Sequence, residues 1–202
     1  MLIRSRHDIM PQILRYITHP QVQIDPSIPV PKWGLSQQGR TRAKYFASLP
    51  ILNSTKTIIS SAETKAIETA IIISDAIDVP VIIREKTHEN DRSTTGFLEP
   101  NEFERVADLF FSKPLESVLG WETATHAQSR IVTEAMKVIQ DNPNGDILLV
   151  GHGAVGTLLY CSLSNIEISR KFDQPSGGGN IFSYNVTKKA VLHHWISIEQ
   201  IV

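Results

Sequence analysis

The chain has 202 residues, of which 41% are apolar and 20% charged, the balance of one soluble folded domain that needs no disulfide or metal staple. Twenty Lys and Arg stand against 21 Asp and Glu, a formal net charge of -1, so no global field draws DNA, RNA or an anionic membrane. Any anionic ligand must therefore be held by a local cluster of positive groups.

ILRYIT (Ile13 to Thr18) is short, apolar and β-branched, and predicts a buried strand. The stretch QVQIDPSIPVPKWG follows, and Pro26, Pro29 and Pro31 make it a surface loop. Ser36 opens a helix running to about Leu49, with Ala43, Phe46 and Ala47 on one face. TKTIISS (Thr55 to Ser61) predicts a second buried strand, leading straight into a helix from Ala62 to about Ile77. Ser60 and Glu63 have the S-x-x-E spacing of a capping box at its start. PVIIRE (Pro80 to Glu85) predicts a third strand, followed by the polar segment KTHENDRSTTG. Helices are expected at about Glu102 to Phe111 and Glu122 to Gln140.

DILLVG (Asp146 to Gly151) is the most strand-like stretch, and it passes through GHG into the helix AVGTLLYCSL. Cys161 in that helix is the one cysteine, which excludes an intramolecular disulfide and a Cys-rich zinc site and predicts an inert, buried thiol. After the turn PSGGGN come two last strands, IFSYNV and AVLHHWISI, joined by a hairpin at Thr187, Lys188 and Lys189. The alternation predicts an α/β fold, a three-layer sandwich with a mostly parallel central sheet flanked by helices and an antiparallel edge. No run of about 18 apolar residues predicts a membrane span. The N-terminus MLIRSRHDIMPQ lacks the apolar core of a secretory signal, so cytoplasmic residence is expected.

In such sheets ligands gather at the carboxyl ends of the strands. There the sequence places His19, then Ser60, Ser61 and Lys65, then His88, Glu89, Asp91 and Arg92, and finally His152. Two histidines, a carboxylate and one or two cations on one rim suit covalent phosphoryl transfer. An imidazole nitrogen attacks phosphorus, a carboxylic acid protonates the leaving oxygen, and cations and helix N-termini hold the remaining oxygens.

Three segments carry a resemblance. SSAETKAIETA (Ser60 to Ala70) resembles the SS-x-x-x-R-A-x-x-T-A segment of the histidine phosphatase, or phosphoglycerate mutase-like, superfamily. LSQQGRTRA (Leu35 to Ala43) resembles its L-[ST]-x-x-G-x-x-Q-A helix start, and LLVGHGAVGTLL (Leu148 to Leu159) its V-x-H-G-G-x-x-x-x-L strand–turn–helix. The three occur in the family's order and spacing and span about Ile13 to the C-terminus. The family's first motif is Arg-His-Gly, for which two candidates exist. Arg6-His7 matches the dipeptide but follows only a stub and precedes Asp8. His19 ends a proper strand and lies at the family's usual distance from Leu35, so His19 is taken as the nucleophile. Residues 1–12 then form an N-terminal extension, Met10 is a candidate start, and 13–202 form the single domain.

That choice leaves Thr18-His19-Pro20 where the family has Arg-His-Gly, and Lys65 where it has a second Arg. Lysine is a point charge without the bidentate fork of arginine. Arg92 is the candidate replacement, and Arg15 a weaker one. The resemblance implies Glu89, preferred over Asp91, as proton donor, and His152 as the second pocket histidine. Lys65, Arg92 and the Gly153 N–H would bind the phosphoryl group. The implied activity is hydrolysis of a small phosphorylated substrate through phosphohistidine, with no cofactor and no metal. His88 and Asn180 are read as structural, and the adjacent His193 and His194 as pointing to opposite faces of a strand. The alternatives are a mutase or a catalytically weak phosphate- or phosphopeptide-binding member of the same fold. Gly151 to Gly156 also spells G-x-G-x-x-G, a dinucleotide-binding signature, but no acidic residue ends a clear strand about 20 positions on.

Overall fold

The computed structural model describes residues 11–201. Arg6, His7 and Met10 lie outside them. Four parallel strands form the centre of the sheet: β1 (Ile13–Thr18), β2 (Thr55–Ser60), β3 (Val81–Ile83) and β4 (Asp146–Gly151), in the spatial order β3-β2-β4-β1. Next to β1, antiparallel to it, lies β5 (Asn180–Asn185), and β5 in turn pairs with β6 (Ala190–Val191) and β7 (Ile196–Ser197). The mostly parallel sheet with an antiparallel edge is as the strand–helix alternation predicted.

Strand alternation decides which layer each side chain joins. Leu14 and Tyr16 of β1 and Ile147 and Leu149 of β4 face α3 (Pro100–Ser112), α4 (Ala124–Asp141) and α5 (Gly153–Leu163). Ile17, Leu148 and Val150 face the other way, onto α1 (Gln37–Ala47) and α2 (Thr64–Ile77). The sheet is thus buried on both faces, which is why β4 is apolar throughout. Cys161 of α5 is fully buried, and no helix among the described residues is long and apolar enough to cross a membrane.

Three local expectations are corrected. The capping box does not form. Helix α2 begins at Thr64, Glu63 is its N-cap without a side-chain cap bond, and Ser60 Oγ bonds the Ser61 carbonyl instead. Glu63 turns instead to Lys65, His152 and the Glu89 N–H. The final run AVLHHWISI is not one strand: it breaks between β6 and β7, where Trp195 turns into the core and the His193 ring meets Ser183 Oγ at 3.0 Å. Arg15 is not near the phosphate-like rim. It pairs with Asp146 at 2.6 Å, at the opposite end of β4.

The glycines of the G-x-G-x-x-G run serve packing. A Cβ on Gly151 would meet Tyr16 Oη at 2.2 Å, and one on Gly156 would meet the Tyr16 ring at 2.5 Å. Tyr16 is fully buried and stacked on Phe182 at 5.4 Å, so it has nowhere to retreat. Gly151→Ala is therefore expected to destabilise the fold by about 2 kcal/mol, the usual scale of overpacking. The thermal midpoint should drop by roughly 4–8 °C, which calorimetry can check.

Candidate active site

Four chain segments meet at the carboxyl ends of β1, β2 and β4. His19 lies one residue beyond β1, its N–H donating to Gly151 O at 3.0 Å. Its carbonyl accepts the Gly179 N–H at 3.1 Å. Gly178, at φ 64°, is where a Cβ would meet that same carbonyl at 2.3 Å, so the triple-glycine turn can press against it only without side chains. The His19 backbone is thus clamped from two sides.

The ring follows from this placement. His19 Nδ1 lies 2.8 Å from the Pro20 carbonyl. A carbonyl only accepts, which assigns the proton to Nδ1 and leaves a lone pair on Nε2. Burial, reinforced by the Lys65 ammonium, pushes the imidazole down to about 4, so it is neutral and nucleophilic across the ordinary pH range.

His152 sits beside it, with ring centroids 5.3 Å apart. It is fully buried, and Tyr16 Oη holds its backbone by accepting its N–H at 2.9 Å and donating to its carbonyl at 3.0 Å. Its Nε2 lies 2.7 Å from Ser61 Oγ, which itself accepts the Glu63 N–H at 3.2 Å. The Ser61 hydroxyl has no other acceptor among the described residues, so it donates to Nε2 and neutral His152 carries its proton on Nδ1. That Nδ1 has no partner among the described residues. A buried donor without an acceptor is costly, and an oxyanion beside His19 would satisfy it. Burial drives the His152 imidazole well below its ordinary range, against the opposing pull of the Glu63 carboxylate.

Glu89 comes from the loop after β3. Its carboxylate accepts the Ala154 and Val155 N–H groups at 3.2 and 3.0 Å, so it occupies the N-terminus of α5. Burial raises its carboxyl, outweighing the Arg92 charge and these hydrogen bonds. Arg130 of α4 props up the loop: it donates to the carbonyls of Lys86, His88 and Glu89 and pairs with Glu122 at 2.7 Å. Arg92 lies over the Phe103 ring at 4.8 Å and near Trp121 at 6.0 Å, with no hydrogen bond or ion pair among the described residues. A cavity of about 180 Å³ joins His19, Glu89, Arg92 and Gly153 to this aromatic wall and to Gln174.

The residues predicted from sequence are therefore together, with one qualification. Lys65 is 4% exposed, ion-paired with Glu63 Oε2, and donates to the Val30 carbonyl at 3.0 Å. Its charge is committed within the protein. Two neighbours had no sequence signal. Gln174 accepts from Thr18 Oγ1 at 2.7 Å and from Asn180 Nδ2 at 3.0 Å, forming a neutral network at the position the family gives to arginine. This aims the Gln174 amide NH2 at α5, where a Cβ on Gly153 would meet Nε2 at 2.4 Å. Glu63, expected to cap a helix, is the other. Among the described residues no group of three or more His, Cys, Asp or Glu is placed to hold a metal ion.

The family profile described as "Histidine phosphatase superfamily (branch 1)" matches residues 23–196. No curated protein sequence matches the chain. Among solved structures, a mycobacterial glucosyl-3-phosphoglycerate phosphatase in complex with inorganic phosphate is similar at a TM-score of 0.74 and 17% identity, covering 94% of this chain and 100% of that one. The phosphoserine phosphatase of Entamoeba histolytica in complex with 3-phosphoglyceric acid is similar at 0.74 and 20% identity, covering 92% and 98%. At such identities the likeness is one of fold.

Proposed function

This chain belongs to the histidine phosphatase superfamily, and we propose that it hydrolyses phosphate monoesters of small molecules through a phosphohistidine on His19. The observation that carries this is the freed Nε2 lone pair of His19, on a ring whose centroid lies 5.3 Å from that of His152, whose Nδ1 has no partner among the described residues. Nε2 forms the N–P bond as the P–O bond to the alcohol breaks. Glu89, whose carboxyl is held raised, gives its proton to the departing alkoxide. Water then attacks phosphorus, the N–P bond breaks, and the Glu89 carboxylate takes the water proton. Inorganic phosphate leaves and both groups return to their starting states. His152 Nδ1–H, the Arg92 guanidinium, the Gln174 amide and the Gly153 N–H hold the phosphoryl oxygens, while Lys65 acts from behind through Glu63. Residues 13–202 make up the one working domain, acting in the cytoplasm.

The experiment is turnover of a broad phosphoester panel as a function of pH. Protonated His19 has no lone pair, so kcat/KM should fall as pH drops through about 4, and it should fall again on the alkaline side as Glu89 loses the proton it donates. An acid limb near the ordinary imidazole pKa of about 6.5 would show that His19 is not the titrating nucleophile. The committed charge of Lys65 favours a second reading, a phosphate-binding member without catalysis; turnover of any ester in the panel rejects it.

A further inference from the structure

One carboxylate at the phosphoryl site is used by none of these steps. Glu63 is 9% exposed, pairs with Lys65, accepts the Glu89 N–H at 2.9 Å, and places Oε1 3.5 Å from His152 Nε2. Burial alone would raise it, but the Lys65 charge, the Lys65 hydrogen bond and the Glu89 N–H hold it below its ordinary range, so it is ionised throughout the working range.

Most cations facing this site have opposing carboxylates. Lys65 has Glu63 at the head of α2 and Arg130 of α4 has Glu122, while Arg92 has no ion pair among the described residues and faces Glu89, the proton donor, on the loop after β3. Arg170, on the loop between α5 and β5, has Asp173 and also Glu104 and Asp108. The wider cleft beside Glu63 adds Lys32, Glu85, His88 and Asp91, which make it no more positive. His19 at the end of β1 and His152 before α5 are held neutral. The site offers one uncompensated positive charge, Arg92, whereas a phosphate monoester is a dianion above its second pKa of about 6. Burying two negative charges against such a wall, with the Glu63 carboxylate behind it, is unfavourable. One negative charge is accommodated by the His152 donor and Arg92.

We propose that the site binds the phosphoryl group with uptake of one proton, so that its substrates are phosphate monoesters in their monoanionic form, and that Glu63 is the positioning residue that imposes this. Glu63, with Oε1 3.5 Å from His152 Nε2, disfavours a second negative charge, so that while one phosphoryl oxygen accepts the His152 Nδ1–H another keeps the proton taken up. That proton does the work of the fixed arginine charge that Thr18 and the paired Lys65 do not supply. The inference deepens the phosphatase reading and rests on it for the identity of the ligand.

Calorimetry of inorganic phosphate binding to the full chain, in buffers of different ionisation heat at pH about 8.5, counts the protons. The wild type should take up about one proton per phosphate, and its affinity should weaken by up to about tenfold per pH unit above the second phosphate pKa. Glu63→Gln should take up close to none and bind phosphate about tenfold or more tightly than wild type at that pH. A Glu63 that only supports the fold would instead weaken binding at every pH and leave the proton count unchanged. That result, a wild-type count near zero, or no binding of phosphate would overturn the proposal. The wild-type count needs no variant and so survives a misfolded Glu63→Gln. The two readings fail separately: uptake without turnover of any ester removes the hydrolase, and turnover without uptake removes this inference.

Discussion

His19→Ala should abolish phosphoester hydrolysis, lowering kcat by at least about 10³-fold, because the covalent route has no other nucleophile in the cavity. The loss should fall on kcat more than on KM, since His152, Arg92 and Gln174 still surround the phosphoryl group. The fold should survive. His19 is not in a strand, its backbone bonds to Gly151 and Gly179 do not use the side chain, and its ring bonds only the adjacent Pro20 carbonyl. Steady-state kinetics with thermal melts measures both halves. A variant retaining a tenth of wild-type kcat would remove His19 from the mechanism.

Glu89→Gln carries the second large effect. A glutamine cannot give up a proton to an alkoxide, and general acid catalysis is worth about 10²–10⁴-fold. The loss in kcat/KM should depend on the leaving group: nearly complete for an alkyl phosphate, whose alkoxide needs the proton, and small for 4-nitrophenyl phosphate, whose leaving group does not, while kcat falls on both because Glu89 also takes the water proton in the shared hydrolysis of phosphohistidine. Glutamine Oε1 still accepts one N–H of the α5 terminus, where Glu89 now accepts those of Ala154 and Val155, so the stability change should stay near 1 kcal/mol. Equal losses of kcat/KM on both substrates would mean that Glu89 orders the site without donating a proton.

Much of this was legible because local chemistry and the fold agree. Apolar β-branched runs separated by amphipathic helices allow few arrangements other than a doubly covered parallel sheet. Once the strands are placed, His19, Glu89, Arg92 and His152 fall on one rim without further information. The unread parts have in common that their partners are remote in sequence. Gln174 meets Thr18 across 156 residues, and Glu63 meets Glu89 and His152 only after β2, β4 and the β3 loop assemble. Locally, Ser60 and Glu63 have capping spacing, and the stronger tertiary partners won. The G-x-G-x-x-G run, set aside as a dinucleotide signature, has a tertiary reason of the same kind: its glycines make room for Tyr16, a residue on a different strand. Lys65 was placed correctly on α2, but spacing cannot tell that a carboxylate two residues earlier would take its charge.

The central claim is that the phosphoryl group passes through His19. Rapid quench of the full chain with a phosphorylated substrate, followed by peptide mapping under conditions that preserve acid-labile phosphohistidine, tests it most directly. The account predicts label on the peptide carrying His19, present in wild type, enhanced in Glu89→Gln when 4-nitrophenyl phosphate supplies the phosphoryl group, and absent in His19→Ala. Label on the peptide carrying His7, or turnover with no labelled histidine, would contradict it.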